Sequence, residues 1–491
     1  MNAPHLSLHL ILGFASVIGG LVAFALRDLK IRGKSGDQFG AAGFATTAEI
    51  RAAGLYEKHG IVVGRHNKRL LVFGGQEFAL VAAPTRSGKG VGIVIPNLLT
   101  FDGSVVVLDI KGENFECTAK YREDHGQRVF RFAPFSEGSA KYNPLASLSP
   151  DPDRRFGEIM SLAGALYPPT RELAFWNEQA SNLFVGLVLY LCESPDQPRT
   201  MNQLLKVAAG GAGLEIRRNI LRLSQSRTTS GSPLSEPCSG ALARFAANSE
   251  AAAAGILSSF NAPLLVFADP LVAKATEASE FSFLELRRSR TSIYVCVDPQ
   301  NISAARVILN LFFTQLIFQN TTHLPQSLGT RTVPCLLVMD EFTSIGRLEI
   351  LAHAIAFMAG YDLRLLTIVQ SIAQLVGVYG EADTRSLLAN HALRVIFAPN
   401  ELRDAREISE LLGTTTLLSR QHSETRVRGL PGRRTDTYRN VENPRPLLLP
   451  QELRNLGKDT EVILLSGSKP ILANKIRYFE DPDLRNRSVM R

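Results

Sequence analysis

The chain opens with an apolar segment that carries no formal charge. No Asp, Glu, Lys or Arg occurs in residues 1–26. The stretch Leu6–Leu26 would form a helix of roughly 31 Å, close to the ~30 Å hydrocarbon core of a bilayer. A cleaved signal peptide carries its positive charge before the apolar run, whereas Arg27 and Lys30 follow it here. We therefore predict one transmembrane helix within residues 1–32, with the following chain in the cytoplasm.

Downstream of a Gly/Ala-rich linker with a short helix near Thr47–Ala53, the hydrophobic pattern changes. From about Ile61 it consists of short apolar runs between turn residues. The runs Phe78–Ala83 and Ser104–Ile110 are typical of buried strands. Because helical stretches separate such runs, the pattern predicts a mainly parallel sheet. We assign residues 33–152 to the first part of an α/β domain.

Between residues 153 and 262 the strand-like runs stop, and apolar positions recur with helical spacing. The segments with this spacing are Arg154–Tyr167, Phe175–Cys192, Met201–Ala208, Leu214–Ser224 and Ala241–Ser259. A loop rich in Ser, Thr, Pro and Gly, Ser224–Ser239, interrupts them. The pattern predicts an all-α domain inserted into the α/β domain.

The strand-like pattern then returns over residues 263–480. The predicted strands are Thr291–Asp298, Cys335–Phe342, Leu363–Gln370, Leu393–Pro399 and Thr460–Gly467. Helical stretches such as Ser303–Gln319 lie between some of them. This region is the second part of the α/β domain, and residues 481–491 form a short tail.

The net charge of +8 and the pI of about 9.3 favour a polyanionic partner, either nucleic acid or anionic lipid, although many basic proteins bind neither. A local excess lies in Ser419–Arg445, which has seven arginines against three carboxylates. We interpret this segment as a mobile basic loop that is either solvated or in contact with nucleic acid. The five cysteines show no C-x-x-C spacing, which indicates reduced core thiols and gives no zinc site.

The segment Ala83–Gly90, APTRSGKG, has the context of a phosphate-binding loop: it follows a predicted strand and opens an apolar helix, Val91–Leu99. In such a loop, backbone N–H groups and the helix N-terminus bind phosphate, and Lys89 would reach the β- and γ-phosphates. The match to G-x-x-x-x-G-K-[ST] is incomplete, because Ala83 replaces the first Gly and Gly90 the Mg²⁺-binding Ser or Thr. The predicted nucleotide-binding residues are Thr85, Arg86, Ser87, Gly88, Lys89, Gly90 and Val91.

Two further strand ends support the loop. Asp340 and Glu341 end the buried strand CLLVMDE, where Asp340 would hold Mg²⁺ through water and Glu341 would orient the attacking water. Gln370 ends the strand LLTIVQ and would sense the γ-phosphate, with Gln374 one helical turn further on. A solvated acidic turn and a helix-capping glutamine are the alternative readings. Together with Lys89, these residues predict an ATPase whose cofactors are ATP and Mg²⁺.

Other polar residues have less defined roles. Asp109, Lys111 and Glu113 follow the strand after the phosphate-loop helix and would line the edge of the site. If the protein forms a ring, an arginine finger from a neighbouring subunit is expected, with Arg394 and Arg364 as candidates.

The motifs together resemble the type IV coupling proteins, the TraG/VirD-type conjugative ATPases, over most of the chain after about Gly40. They occur in order along the chain: APTRSGKGVGIVIPNLL, VVVLDIKGE, FAPF followed by KYNPL, LLVMDEF, IVQSIAQL and the terminal PLLLPQELRNL, VILLSGSKPI and KIRYFEDPDLRNR. The resemblance is densest over Val81–Leu145 and Leu336–Gln374.

This resemblance implies a fold and a set of partners. Family members sit in the bacterial inner membrane as homo-hexameric rings with a RecA-like P-loop motor domain and an all-α domain at the cytoplasmic mouth. They recruit a relaxase–DNA complex, with single- or double-stranded DNA, or protein effectors to the channel proteins of a type IV secretion system. Gly after the loop lysine, as in Gly90, is tolerated in the family. Most members have two membrane spans, whereas Leu6–Leu26 is the one predicted here.

Two other functions stay open from the sequence. A chromosome-partitioning DNA pump of the FtsK type shares the motor core, but would normally carry several spans and a winged-helix tail. A nucleotide-gated membrane receptor that docks cargo with little turnover is favoured by the missing hydroxyl at Gly90.

Overall fold

The computed structural model describes residues 37–169, 173–194, 196–209, 215–228, 230–324, 332–426 and 434–488. The predicted membrane span Leu6–Leu26 lies outside the described residues, and so does the centre of the basic segment, residues 427–433. The described chain divides into two compact units. One contains residues 45–399 and 456–491, and the other contains residues up to 44 together with 400–455.

The larger unit is built on an eleven-stranded sheet. Its strands are β1 (Ile61–His66), β2 (Arg69–Phe73), β3 (Ala79–Ala82), β4 (Ser104–Asp109), β5 (Arg128–Phe132), β6 (Thr291–Cys296), β7 (Cys335–Met339), β8 (Leu363–Val369), β9 (Leu393–Ile396), β12 (Thr460–Leu465) and β13 (Ile471–Asn474). The order across the sheet is β2-β1-β13-β12-β9-β3-β8-β7-β4-β6-β5. From β9 to β5 every pair is parallel, whereas β12, β13, β1 and β2 extend the sheet with antiparallel pairs.

The parallel strands are buried on both faces, which explains their continuous apolar runs. Alternate residues of β4 enter two different hydrophobic clusters: Val106 and Leu108 lie in one, and Val105 and Val107 in the other. The predicted mainly parallel α/β core is therefore confirmed, and the strand boundaries differ from the predicted ones by a few residues at the ends.

The helices of the larger unit lie before, between and after these strands. Their bounds are α1 (Thr47–Ala52), α2 (Ile95–Thr100), α3 (Glu113–Asp124), α4 (Pro152–Leu166), α5 (Ala174–Glu193), α6 (Met201–Ala209), α7 (Ile216–Ser224), α8 (Glu236–Ala246), α9 (Glu250–Leu264), α10 (Pro270–Ala275), α11 (Ile302–Asn320), α12 (Glu349–Met358), α13 (Ile372–Asn390) and α16 (Pro482–Arg487). The predicted helix Ala241–Ser259 is wrong as one element. Helix α8 ends at Ala246, and α9 begins at Glu250. The Ser249 side chain caps α9 by accepting a hydrogen bond from the backbone N–H of Ala252.

Helices α4 to α9 occupy the region predicted as an inserted all-α domain. Their buried side chains, such as Phe184 and Phe260, belong to the same hydrophobic cluster as Leu80 and Val106 of the sheet. That these helices form a domain of their own stays a prediction. By length and composition, two described helical stretches could cross a membrane, Glu250–Ala268 and Pro299–Asn320, although buried core helices of soluble proteins have the same properties.

The smaller unit contains α14 (Leu402–Leu412), the strands β10 (Thr414–Arg426) and β11 (Arg434–Pro446), and α15 (Pro450–Arg454). The two strands pair antiparallel from Thr414–Pro446 to Arg426–Arg434. The predicted mobile loop at Ser419–Arg445 is therefore wrong in its described part, which is strand. The sequences of β10 and β11 are mostly polar at successive positions, so they lack the apolar alternation by which a strand is recognised in a sequence.

Candidate nucleotide-binding site

The segment after β3 forms a closed loop that leads directly into a helix. The Ser87 N–H and hydroxyl both donate to the Pro84 carbonyl, at 3.2 and 2.5 Å. Arg86 and Gly88 have φ values of +60° and +91°, which turn the chain back toward the helix. A π-helical turn, Gly90–Val94, continues into α2. The loop thus has the strand–loop–helix geometry predicted for phosphate binding.

The parallel sheet places this loop beside two other strand ends. Ala82 of β3 is in register with Val369 of β8 and Ile396 of β9. The residues that follow β8 therefore lie next to the loop. Because β7 is the other neighbour of β8, the acidic pair after Met339 comes to the same edge.

Four predicted site residues form one connected series of contacts. The Lys89 ammonium makes an ion pair with Oε1 of Glu341. Gln370 Nε2 donates to the other Glu341 oxygen, Oε2, at 2.9 Å, and Thr85 Oγ1 donates to Gln370 Oε1 at 3.0 Å. The residues predicted to hold phosphate, activate water and sense the γ-phosphate therefore meet in space.

The backbone and the charges at Glu341 are specialised for this position. Glu341 has a φ of +55°, a left-handed conformation, and immediately precedes the 3₁₀ turn Phe342–Ile345. In this conformation its side chain contacts Lys89 of the phosphate loop. Burial by itself raises the pKa of Glu341, but the hydrogen bonds from Lys89 and Gln370 outweigh burial, so the pKa lies below its ordinary value. The carboxylate is thus charged at neutral pH and able to accept hydrogen bonds from water.

Asp340 provides the group predicted to hold a metal ion. Its Oδ1 is buried and has no hydrogen-bond partner in the part of the chain that the structure describes, and its Oδ2 faces Asn114 Nδ2 at 3.5 Å. Burial raises the pKa of Asp340, and the charge of Lys89 partly offsets this. Among the described residues there is no group of three His, Cys, Asp or Glu side chains that could cage an ion. One free carboxylate oxygen fits Mg²⁺, which usually keeps waters and binds substrate phosphates.

Asn114 belongs to the site, although the sequence does not predict it. Its side chain is buried, and its amide donates to Asp109 Oδ1 at 3.1 Å as well as facing Asp340. Asp109 in turn accepts from the backbone N–H groups of Asn114 and Phe115 at the start of α3. Burial raises the pKa of Asp109 to about 6. Asp109 therefore anchors α3, and Asn114 connects that anchor to Asp340.

The remaining predicted residues lie at the margin of this constellation. Gln374 Nε2 donates to Gln370 Oε1 at 3.4 Å, and Arg86 and Lys111 are exposed. Gly90 and Val91 begin the helix. Arg364 lies at the amino end of β8, the edge opposite the loop, and Arg394 lies within β9 and donates to the Leu388 carbonyl at 2.8 Å. A role for either as an arginine finger stays a prediction.

The comparison with known proteins decides the family. Residues 35–490 match the sequence profile of the family described as "Type IV secretory system Conjugative DNA transfer". The chain belongs to this family. The resemblance to type IV coupling proteins is therefore confirmed, and with it the prediction of a coupling protein of conjugative DNA transfer.

Individual members agree with this assignment. The chain is 31% identical over 491 residues to Protein VirD4 of Agrobacterium fabrum, covering 96% of this chain and 70% of the relative. It is 29% identical over 518 residues to the conjugal transfer protein TraG of Escherichia coli, covering 93% of this chain and 79% of the relative.

Solved structures show that the fold is shared as well. The bacterial conjugative coupling protein TrwBdeltaN70, in a trigonal form with sulphate, gives a TM-score of 0.66 at 17% identity, over 91% of this chain and 96% of that one. The coupling protein TrwB in complex with ADP and Mg²⁺ gives a TM-score of 0.63 at 16% identity, over 89% and 96% of the two chains. These likenesses establish the α/β core of the P-loop type.

Proposed function

We propose that this protein is an inner-membrane motor that hydrolyses ATP to drive or license the transfer of relaxase–DNA or effector protein through a type IV secretion channel. The observation that carries the proposal is the series Thr85–Gln370–Glu341–Lys89, in which a phosphate-binding lysine is held by the carboxylate expected to activate water. Family membership supplies the biological context. VirD4 and TraG relatives and the nucleotide complexes of TrwB support the same reading.

In this arrangement the charges of Lys89 and Glu341 neutralise each other. When ATP binds, its phosphates compete with Glu341 for the Lys89 ammonium, because a polyphosphate offers more negative charge than one carboxylate. Glu341 then loses its cationic partner and is left to orient and polarise a water molecule. Gln370, hydrogen-bonded to both Glu341 and Thr85, is placed to report whether the γ-phosphate is present.

Asp340 is the residue that would hold Mg²⁺, which would neutralise charge on the phosphates when bound. Its unpartnered buried oxygen, together with the absence of a hydroxyl at Gly90, supports this side chain as a ligand of the metal ion. Asn114 fixes the orientation of the Asp340 carboxylate through its amide.

The basic test of this proposal is turnover in the full-length protein extracted from membranes. Lys89→Ala and Glu341→Gln should each abolish ATP hydrolysis and conjugative transfer, with Lys120→Ala, an exposed lysine on α3, as the matched control. Full transfer by either site variant would refute the mechanism. A pull-down of the same preparation would identify the cargo as DNA, protein or both.

A second function, a nucleotide-gated receptor with little turnover, is favoured by one observation, the missing hydroxyl at Gly90. Steady-state ATPase activity with and without single-stranded DNA separates the two functions. Stimulated turnover in a verified homo-hexamer supports the motor. Nucleotide binding in the hexamer without stimulated turnover supports the receptor.

A further inference from the structure

The last strand in sequence, β13, ends against the phosphate loop. Lys475 follows β13, and its backbone N–H donates to the Asp459 carbonyl at 2.8 Å. Its side chain runs across the ring of Phe397, with the ammonium nitrogen 3.9 Å from the ring centroid. The same nitrogen lies 3.4 Å from the carbonyl oxygen of Ser87. A second lysine therefore contacts the loop, from a segment 388 residues away in sequence.

The environment of Lys475 is unusual for a lysine. The side chain is half-buried, and in the described part of the chain it makes no ion pair with a carboxylate. Burial lowers its pKa, and Glu461 and Asp459 act in the opposite direction. Glu461 is fully buried in β12, and burial raises its pKa well above the ordinary value. The ammonium of Lys475 is thus directed to a ring face and a backbone carbonyl.

The neighbouring residue fits the same loop independently. A Cβ added at Gly92, in the first turn of the phosphate-loop helix, would lie 2.8 Å from the carbonyl oxygen of Ile476. The backbone after β13 therefore passes directly against the start of that helix. Lys475 therefore contacts the loop, and Ile476 lies against the start of the helix.

The carbonyl that Lys475 contacts belongs to the same peptide unit as the N–H of Gly88. Because a trans peptide holds its C=O and N–H on opposite sides, a carbonyl held toward Lys475 directs the Gly88 N–H away from Lys475. Gly88 has φ +91° and its N–H donates no hydrogen bond to the protein in the described residues. A peptide before a glycine can rotate at low cost, so an external contact is needed to keep this one oriented.

We propose that Lys475 is a positioning residue of the nucleotide site, which fixes and polarises the Ser87–Gly88 peptide so that the Gly88 N–H faces the phosphates. A charged donor on a carbonyl strengthens the hydrogen bond that the linked N–H can give, because hydrogen bonds in a chain polarise one another. Lys89 acts on the phosphates directly, and Lys475 acts through the backbone. The inference rests on the proposed nucleotide-binding function of the loop.

The test uses Lys475→Met, which keeps the apolar stem against Phe397 and removes the charge, and Lys475→Arg, which restores a cationic donor. Lys469→Met is the matched control, since Lys469 precedes the same strand and pairs with Glu49 at an exposed position. Loss of one charge-assisted contact should raise the KM for ATP about tenfold in Lys475→Met. The kcat should stay within about twofold, because the same contact serves the ground and transition states. Lys475→Arg should recover most of the affinity.

A KM for Lys475→Met equal to that of Lys469→Met would overturn the inference. So would a folded Lys475→Arg that is as impaired as the Met variant, because a merely structural role would not depend on charge. If Lys475→Met does not fold, Lys475→Gln takes its place, and an unchanged KM counts against the inference in the same way. If the wild-type protein shows no turnover, the proposed function fails, and equilibrium ATP affinity of the same variants still decides the role of Lys475.

Discussion

Lys89 and Glu341 are bound to each other, although 252 residues separate them in the sequence. The lysine expected to bind phosphate and the carboxylate expected to activate water therefore neutralise each other's charge. Both side chains are partly shielded from solvent, with the lysine 12% and the glutamate 29% exposed. We expect ATP to compete with Glu341 for Lys89, so removal of Glu341 should raise the affinity for ATP and removal of Lys89 should lower it.

Substitutions at Glu341 and Lys89 should change the affinity for ATP in opposite directions. Glu341→Gln removes the competitor for Lys89 and should bind ATP more tightly than wild type while kcat falls by about 10²–10⁴-fold. Lys89→Ala should instead lose most of the affinity, because the phosphates lose their cation. Isothermal titration with a non-hydrolysable ATP analogue measures both. Weaker binding by Glu341→Gln than by wild type would show that the ion pair does not oppose the nucleotide.

The two glycines at the start of the phosphate-loop helix should respond differently to the same substitution. A Cβ at Gly90 would meet no atom within 4 Å, whereas one at Gly92 would lie 2.8 Å from the Ile476 carbonyl oxygen. Gly90→Ser should be well folded and, by adding a hydroxyl where Mg²⁺ is expected, lower the Mg²⁺ concentration needed for half-maximal ATPase activity. Gly92→Ser should lower the Tm by several degrees, since backbone must shift to accommodate it.

Thermal melting and Mg²⁺ titration of the two variants check this prediction. Gly92→Ser serves as the control for the chemical effect of a serine in this turn. An unchanged Mg²⁺ requirement in a folded Gly90→Ser would place the metal away from residue 90. An unchanged Tm for Gly92→Ser would contradict the close approach of Ile476.

His391 should make stability depend on pH. It is fully buried, its Nδ1 donates to the Leu387 carbonyl at 2.6 Å, and its Nε2 accepts from the Thr367 hydroxyl at 2.9 Å. Burial lowers its pKa from 6.5 to about 4. Below pH 6.5 the unfolded chain takes up a proton that the folded chain refuses until about pH 4, so stability is full above pH 6.5 and declines as pH falls through that window. The loss should be roughly 2 kcal/mol by pH 5.

Other groups titrate in the same range, so the effect is measured as a difference. His391→Gln removes the titrating ring and should be less stable than wild type at pH 7.5, because it loses buried hydrogen bonds. The gap in Tm between the two proteins should narrow as the pH is lowered to 5. A gap that is constant over this range would mean that His391 does not titrate in the folded or unfolded chain as predicted.

We expect the hairpin strands β10 and β11 to bind nucleic acid through the positive charge of their arginines. Arg420 lies 4.3 Å from the ring centroid of Tyr438 on the opposite strand, and Arg439 is exposed nearby. Replacing Arg420 and Arg439 by Gln should weaken DNA binding and lower the slope of log affinity against log salt by about 2, one for each lost phosphate contact. Arg403→Gln on α14, an exposed arginine near Glu407, is the control.

Fluorescence anisotropy with labelled single- and double-stranded DNA across salt concentrations measures this. Wild-type binding that does not change with salt would remove the hairpin as a phosphate contact. An equal loss in Arg403→Gln would show a general charge effect rather than a contact of the hairpin.

Much of the core could be read from local patterns. The apolar run of β4 is buried at every position, and the strand before the loop, the loop itself and the acidic end of β7 lie where the sequence predicts them. Such features are local, because a strand buried on both faces must be continuously apolar and a phosphate loop must join a strand to a helix. The strands β10 and β11 are not predicted, because their mostly polar sequences give no such local pattern.

By itself, the sequence determined the family and the α/β class, and it predicts Lys89, Asp340, Glu341 and Gln370 as site residues. Only the tertiary structure decided which of these residues touch, and it added Asn114 and Lys475, which no spacing connects to the loop. The physical reason is sheet order. Parallel strands far apart in sequence are neighbours in space, so the contacts at their carboxyl ends depend on register and strand order rather than on any property of the local segment.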